Sequence, residues 1–212
     1  MVEFLVVCDV DSTLINEEVI DMLAEAAGVG SEVADVTDRA MNGEIDFATS
    51  LTERVALLKG LSSENIEAVT NRVTLTKGAR KLVQQVHEAD GLIVAVSGGF
   101  HEVLDSIGAD LGLDYWSANR LEIVDGVLTG RVLGSIVDAK AKARILKQFA
   151  EDNDISPDRT IAVGDGANDL AMMDAAGVSV AFCAKRVVAE KADVSVDVRD
   201  LSAIAALFGR RG

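Results

Sequence analysis

From residue 78 to residue 208 the chain alternates short valine- and isoleucine-rich runs with longer stretches of helical periodicity, and no other feature constrains its fold so strongly. The pattern predicts helix 78–89, strand 92–97, helix 101–107, a short strand 115–118 and a hairpin over 121–132 turned at Asp125-Gly126. Helix 139–152, strand 160–163, helix 168–175, strand 178–182, helix 185–191, strand 193–196 and helix 201–208 complete the series. Strands linked through helices pair in parallel, and a parallel sheet needs cover on both faces. A first strand at 2–8 belongs to the same sheet, but no simple crossover leads out of it. Residues 17–72 read as helical throughout, in segments 17–27, 32–41, 47–58 and 63–72, with Asp46 and Ser62 or Ser63 as N-caps. The expected architecture is therefore an α/β core made of residues 1–15 and 76–212, with a small helical cap, 16–75, inserted after the first strand. Such an insertion covers the C-terminal edge of that strand, where open α/β sheets bind ligands.

Composition narrows the function. With 49% hydrophobic residues and a mean hydropathy of +0.26, the 212-residue chain is a folded protein. A formal charge of −15 argues against nucleic acid and anionic membranes, and it repels anionic substrates at long range. A phosphate site here needs a metal ion or local donors. The apolar runs are too short to span a bilayer, and neither a secretory leader nor a domain ahead of the first strand is expected. The expected compartment is the cytoplasm. Cys8 and Cys183 sit in apolar runs and read as buried thiols rather than a disulfide, and two histidines without a CxxC offer little for zinc.

Four stretches fall at one edge of the expected sheet: Asp9-Val10-Asp11-Ser12-Thr13, Ser97-Gly98-Gly99, a lysine on helix 139–152, and Gly164-Asp165-Gly166-Ala167-Asn168-Asp169. Each alone has an ordinary reading as polar loop, turn, solvated lysine or helix cap. Together they suit phosphoryl transfer. Asp9 and Asp165 are hard oxygen ligands for Mg²⁺. A lysine, Lys142 with Lys140 as its rival, adds a cation to the phosphoryl oxygens, and the Ser97 hydroxyl with nearby backbone N–H groups donates to them. Gly98 and Gly99 let the backbone approach. Asp9 is then the nucleophile, and Asp11, crowded by carboxylates and partly desolvated, is the acid and later the base.

These motifs, with "DSTLINEEVID", "MNGEIDFATSLTERVALLKGL" and "VGDGANDLAMMDAAGVSVAFCAK", resemble the haloacid dehalogenase superfamily, and within it the phosphoserine phosphatase family, over nearly the whole chain. The resemblance implies a Rossmann-like core and Mg²⁺-dependent hydrolysis of O-phosphoserine through an aspartyl-phosphate, the last step of serine biosynthesis. It selects Lys142 over Lys140. It implies that Glu18 meets the substrate ammonium and Arg54 its carboxylate. Asp11 would reach the metal through its backbone carbonyl. Asn168 would touch phosphate or metal-bound water, and Asp169 would orient Lys142 or a metal water, with Thr13 and Gly99 in support.

Rival readings keep part of this set. Another phosphatase or a phosphotransferase of the superfamily, such as one moving phosphate from phosphoserine to homoserine, keeps the core and changes the cap. A phosphoaccepting receiver module places its acceptor Asp after the strand where this chain has Ser97. A silent phosphate binder would not need the full set. Phe47, Met41 and Val55 are candidates for either the pocket or the core. Oligomeric state is left open between a monomer and a homodimer.

Overall fold

The computed structural model describes residues 2–208. Strand β1 (Phe4–Cys8) is wholly buried, and its side chains alternate between two cores: Phe4, Val6 and Cys8 on one face, Leu5 and Val7 on the other. Beyond it the chain makes one wide turn, Val10–Leu14, closed by the Ile15 N–H donating to the Val10 carbonyl at 3.0 Å. Helices α1 (Val19–Ala27), α2 (Gly30–Met41), α3 (Phe47–Leu57) and α4 (Ser63–Thr70) come next. Asp46 caps α3 through Oδ1 to Thr49 N at 2.7 Å, and Ser62 caps α4 through Oγ to Asn65 N at 3.3 Å.

The alternating part runs α5 (Ala79–Glu88), β2 (Gly91–Phe100), α6 (His101–Leu111), β3 (Tyr115–Val124), β4 (Val127–Leu133), α7 (Ala139–Asp152), β5 (Thr160–Gly164), α8 (Leu170–Met173), β6 (Val178–Phe182), α9 (Arg186–Ala189), β7 (Val194–Val196) and a 3₁₀ turn at Leu201–Leu207. The strands form one seven-stranded sheet in the order β4-β3-β2-β1-β5-β6-β7, parallel except where β3 meets β4. Helices α5 and α6 bury Leu82, Val86, Val103 and Leu104 on one face, and α7 to α9 bury Leu146, Met172 and Val188 on the other. The α/β architecture with a mostly parallel sheet is as expected. Sequence order reverses on either side of β1, which places a switch point at its C-terminal end. Cys8 lies opposite Ala95 of β2 and Val163 of β5, so Asp9, Ser97 and Asp165 emerge side by side.

Several details differ from the sequence expectations: helices 168–175 and 185–191 shorten to single turns, and helix 201–208 forms as a 3₁₀ turn. Strand β2 runs on to Phe100, so Ser97-Gly98-Gly99 is the irregular end of a strand and not a turn; its register with β3 shifts between Val96 and Phe100. β3 is continuous from Tyr115 to Val124, and the hairpin turn keeps Asp125 and Gly126 at φ 51° and 78°, the two positive angles of a type I′ turn. Cys183 is half-buried, with a free thiol like the fully buried Cys8.

The four-helix segment is tied to the sheet twice. At its ends, Ile15 bridges Leu75, Asn16 N donates to Thr74 O at 3.0 Å and Thr76 N to Leu14 O at 2.9 Å. On its far side the β3–β4 hairpin pairs with the α3–α4 loop through Gly60 N to Leu128 O (2.9 Å), Leu128 N to Leu61 O (2.9 Å) and Ser63 N to Gly126 O (2.8 Å). Gly130, at φ +86°, permits this approach: a Cβ there would lie 3.2 Å from the Ala56 carbonyl of α3.

Candidate active site

Asp9 follows the last buried residue of β1 and is itself only 4% exposed. Both hydrogen bonds to its carboxylate fall on Oδ1, from Val10 N at 2.8 Å and Lys142 Nζ at 2.6 Å. Lys142 sits on the first turn of α7, whose start is capped by Asp138 Oδ1 accepting from Ala141 N at 2.8 Å. Its ammonium is buried between Asp9 and Asp169 Oδ1, the latter at 2.8 Å. Burial opposes its charge, but the two carboxylates outweigh burial and hold its pKa above the ordinary lysine value. Lys140, the rival, lies on an exposed groove with Arg144 and Lys147.

The other Asp169 oxygen, Oδ2, accepts from Gly166 N at 3.1 Å, so this fully buried carboxylate is engaged at both ends. Asp165 Oδ1 accepts from the buried Thr13 hydroxyl at 3.2 Å. Burial, then Asp169 and Glu18, raise Asp165 to about 6. Burial and then Asp169 also push Asp9 well up, with Lys142 opposing. Asp11 is raised to about 7, first by burial and next by Glu18; its Oδ2 takes Val19 N at 3.4 Å, while Oδ1 is enclosed without a hydrogen-bond partner among the described residues.

Carboxylate oxygens of Asp9, Asp165 and Asp169 lie within 4.8 Å of one another. Since Asp169 is committed to Lys142 and Gly166, the oxygens left for a metal are those of Asp9 and Asp165. An all-oxygen, acid-rich donor set of this kind suits a hard divalent cation, which would also offset the burial and the carboxylate repulsion that raise both groups. The Asp11 side chain lies outside this cluster.

These groups form the floor of a cavity of about 540 Å³ whose walls include Asp9, Asp11, Ser97, Gly98, Gly99, Asp165 and Asn168 from the sheet edge and Glu18, Phe47 and Arg54 from the helices above. Lys142, Thr13 and Asp169 are buried behind that wall. Ser97 Oγ accepts from Gly99 N at 2.8 Å, which leaves its own proton to donate. A Cβ on Gly98 would stand 3.0 Å from the Phe47 ring, and one on Gly99 3.0 Å from Ser97 Oγ and 3.2 Å from Asp11 Oδ2, so glycine leaves these side chains their room. Glu18 Oε1 accepts from Ser12 Oγ at 2.6 Å. Arg54 is half-buried and donates through Nε to Ser50 O at 3.3 Å; among the described residues it makes no ion pair. Burial lowers its pKa, with Asp21, Glu18 and Asp11 opposing. Of the residues open between pocket and core, Phe47 and Met41 line the cavity and Val55 is fully buried core.

Sequence reasoning missed Asn119, Asp21 and Lys185. Asn119 is buried in β3, donating through Nδ2 to Gly98 O and accepting at Oδ1 from Val137 N, both at 2.8 Å. Asn119 fell between the expected strand 115–118 and the hairpin 121–132, so no strand signal marked it until β3 proved continuous. Asp21, one turn beyond Glu18, and Lys185, after β6, line the cavity and carried no signal beyond their charge.

A family model for haloacid dehalogenase-like hydrolases matches residues 6–174. The chain belongs to that family. Among haloacid dehalogenase-like relatives, the phosphoserine phosphatase of Streptococcus thermophilus is 50% identical over 200 residues, 94% of this chain and 93% of that protein. The phosphoserine phosphatase of Methanocaldococcus jannaschii is 44% identical, over 94% of this chain and 95% of its own. A solved phospho-aspartyl intermediate analogue of a phosphoserine phosphatase superposes with a TM-score of 0.91 at 43% identity, covering 98% of this chain and 99% of that one. A substrate-bound phosphoserine phosphatase complex gives 0.91 at 43% identity, over 97% and 98% of the two chains. Among the described residues no helix is long and apolar enough to cross a membrane.

Proposed function

We propose that this hydrolase cleaves O-phospho-L-serine to serine and phosphate in the cytoplasm with Mg²⁺, the closing step of serine biosynthesis, and that residues 16–75 form the cap that selects the amino acid end. The observation that carries the reading is one cavity that joins Asp9 and Asp165, with Lys142 hydrogen-bonded behind Asp9, to Glu18 and to an Arg54 that makes no ion pair among the described residues. A zwitterion with a phosphate at one end offers one cation and two anions. Glu18 suits the ammonium, Arg54 the carboxylate in a bidentate pairing, and the floor the phosphate.

Asp9 Oδ2, free of the hydrogen bonds that fix Oδ1, attacks phosphorus and forms an acyl phosphate while the serine oxygen departs with a proton from Asp11. Asp11 then takes a proton from water as that water opens the acyl phosphate, returning Asp9 and releasing phosphate. Lys142, the Ser97 hydroxyl, the backbone at Gly98 and Gly99, and Asn168 hold the phosphoryl oxygens, with Asp169 fixing Lys142 and Thr13 fixing Asp165. Mg²⁺ held by Asp9 and Asp165, and by the Asp11 carbonyl as the family resemblance implies, supplies the charge neutralisation a dianion needs beside carboxylates.

Phosphate release from phosphoserine, measured with added Mg²⁺ and with chelator, tests this. Asp9→Asn should abolish turnover with the fold intact. Hydrolysis of sugar phosphates with phosphoserine untouched, or full turnover by Asp9→Asn, overturns the proposal.

A further inference from the structure

Ser12 is a non-glycine residue at φ +57°, a left-handed conformation that persists only where its surroundings hold it. Three contacts do so. Ser12 N donates to Glu17 O at 3.2 Å, its hydroxyl to Glu18 Oε1 at 2.6 Å, and its carbonyl accepts from Arg199 Nη2 at 3.3 Å. Arg199 comes from the far end of the chain and also reaches Asn16 Oδ1 through Nε at 3.0 Å. Its base is fixed: Leu201 N donates to Lys77 O at 2.8 Å, and Asp200 pairs with Lys77 at 3.1 Å. One arginine therefore leans from the loop after β7, a loop anchored to Lys77, onto the turn that carries Asp11 and Ser12 and leads on to Glu18.

We propose that Arg199 and Ser12 form a strut that positions Glu18 for the ammonium of the substrate. The Ser12 hydroxyl occupies Oε1 of Glu18 and leaves Oε2 available to the ligand; Arg199 keeps Ser12 in the strained turn from which that hydroxyl bonds. Arg199 touches no reacting atom and is a positioning residue. The strut rests on the amino acid reading of the cavity.

The test compares O-phosphoserine with 3-(phosphonooxy)propanoate, which has the carboxylate and phosphate but no ammonium. Ser12→Ala should raise KM for phosphoserine about tenfold, the scale of one hydrogen bond to a charged group, with kcat within about twofold. Arg199→Met should raise it by roughly three- to tenfold, and Arg199→Lys, which retains a donor, should recover part of the loss. Neither variant should shift kcat/KM for the amine-free analogue by more than about twofold, a split that general loosening of the fold would not produce. A wild-type enzyme that prefers phosphoserine, with variants that keep its preference ratio, overturns the strut. Equal losses on both substrates overturn it as well. A wild-type enzyme indifferent to the ammonium overturns the amino acid reading and the strut with it.

Discussion

Replacing Lys142 by methionine keeps most of the side-chain volume and removes the one cation between Asp9 Oδ1 and Asp169 Oδ1, at 2.6 and 2.8 Å. All three side chains are buried, so no solvent screens the carboxylates left behind. Removing one partner of a buried ion pair costs about 3–5 kcal/mol, since the remaining charge is stranded in low dielectric. With a urea m-value of about 2–3 kcal/mol/M, the unfolding midpoint should fall by roughly 1–2.5 M near neutral pH. The loss should depend on pH with a definite sign. Asp9 is already held above its ordinary pKa by burial and Asp169, and deleting the lysine that opposes them raises it further. A carboxyl whose folded-state pKa exceeds its unfolded value contributes stability that is full below the unfolded pKa and is lost as pH rises through the folded one. The deficit of Lys142→Met against wild type should therefore be larger at about pH 8 than at about pH 5, where protonation of Asp9 removes one of the stranded charges. Adding Asp169→Asn should recover part of the loss by removing one stranded charge. Urea melts at both pH values read all of this. A midpoint unchanged within error at high pH, or a deficit that grows on acidification, would refute the account of Lys142 as the counter-charge of this floor.

Asn119→Ala should strip the buried Val137 N–H and the half-buried Gly98 carbonyl of their shared partner, costing about 1–3 kcal/mol in urea melts and lowering turnover because Gly98 lines the cavity. Gly130→Val places a branched Cβ at φ +86° against Ala56 and should destabilise by roughly 1–3 kcal/mol, seen as a lower Tm. Saturating Mg²⁺ should raise Tm, by about 2.7 kcal/mol of linkage at a hundredfold excess over Kd, and Asp165→Asn should abolish most of that shift.

The sheet and its chemical edge were legible because their signals are local. Valine-rich runs announce strands, and an aspartate directly after a buried run lies at a strand end whichever strands flank it. Thus Asp9, Ser97 and Asp165 could be grouped before any pairing was known, and the register places them side by side. What escaped was whatever depends on long-range packing. Arg199 meets Ser12 across 187 positions of sequence, and Asn119 meets Gly98 across 21. Neither partner carries a pattern that points to the other. Strand ends escaped too: the register break in β2 lets Ser97-Gly98-Gly99 continue a strand that local turn chemistry would have stopped.

The two ties of the helical segment divide the labour of holding the cavity. Glu18 lies beside the linkers, where Asn16 gathers Thr74, Leu75 and Arg199 around one amide. Arg54 rides on α3, which the β3–β4 hairpin holds through backbone pairing at the α3–α4 loop and close packing at Gly130. A rigid swing of all four helices away from the sheet must break both sets of bonds or carry the hairpin along. The stretch between α2 and α3, with exposed residues at 41–44 and Met41 on the cavity wall, lies outside both ties. Exposed backbone with few buried contacts opens at the lowest free energy. Amide exchange should therefore be fastest at 41–45 and slow at Gly60, Leu128 and Ser63. Slow exchange at 41–45 together with fast exchange at the hairpin pairing would show that the helices move as one body and that the hairpin is not a brace.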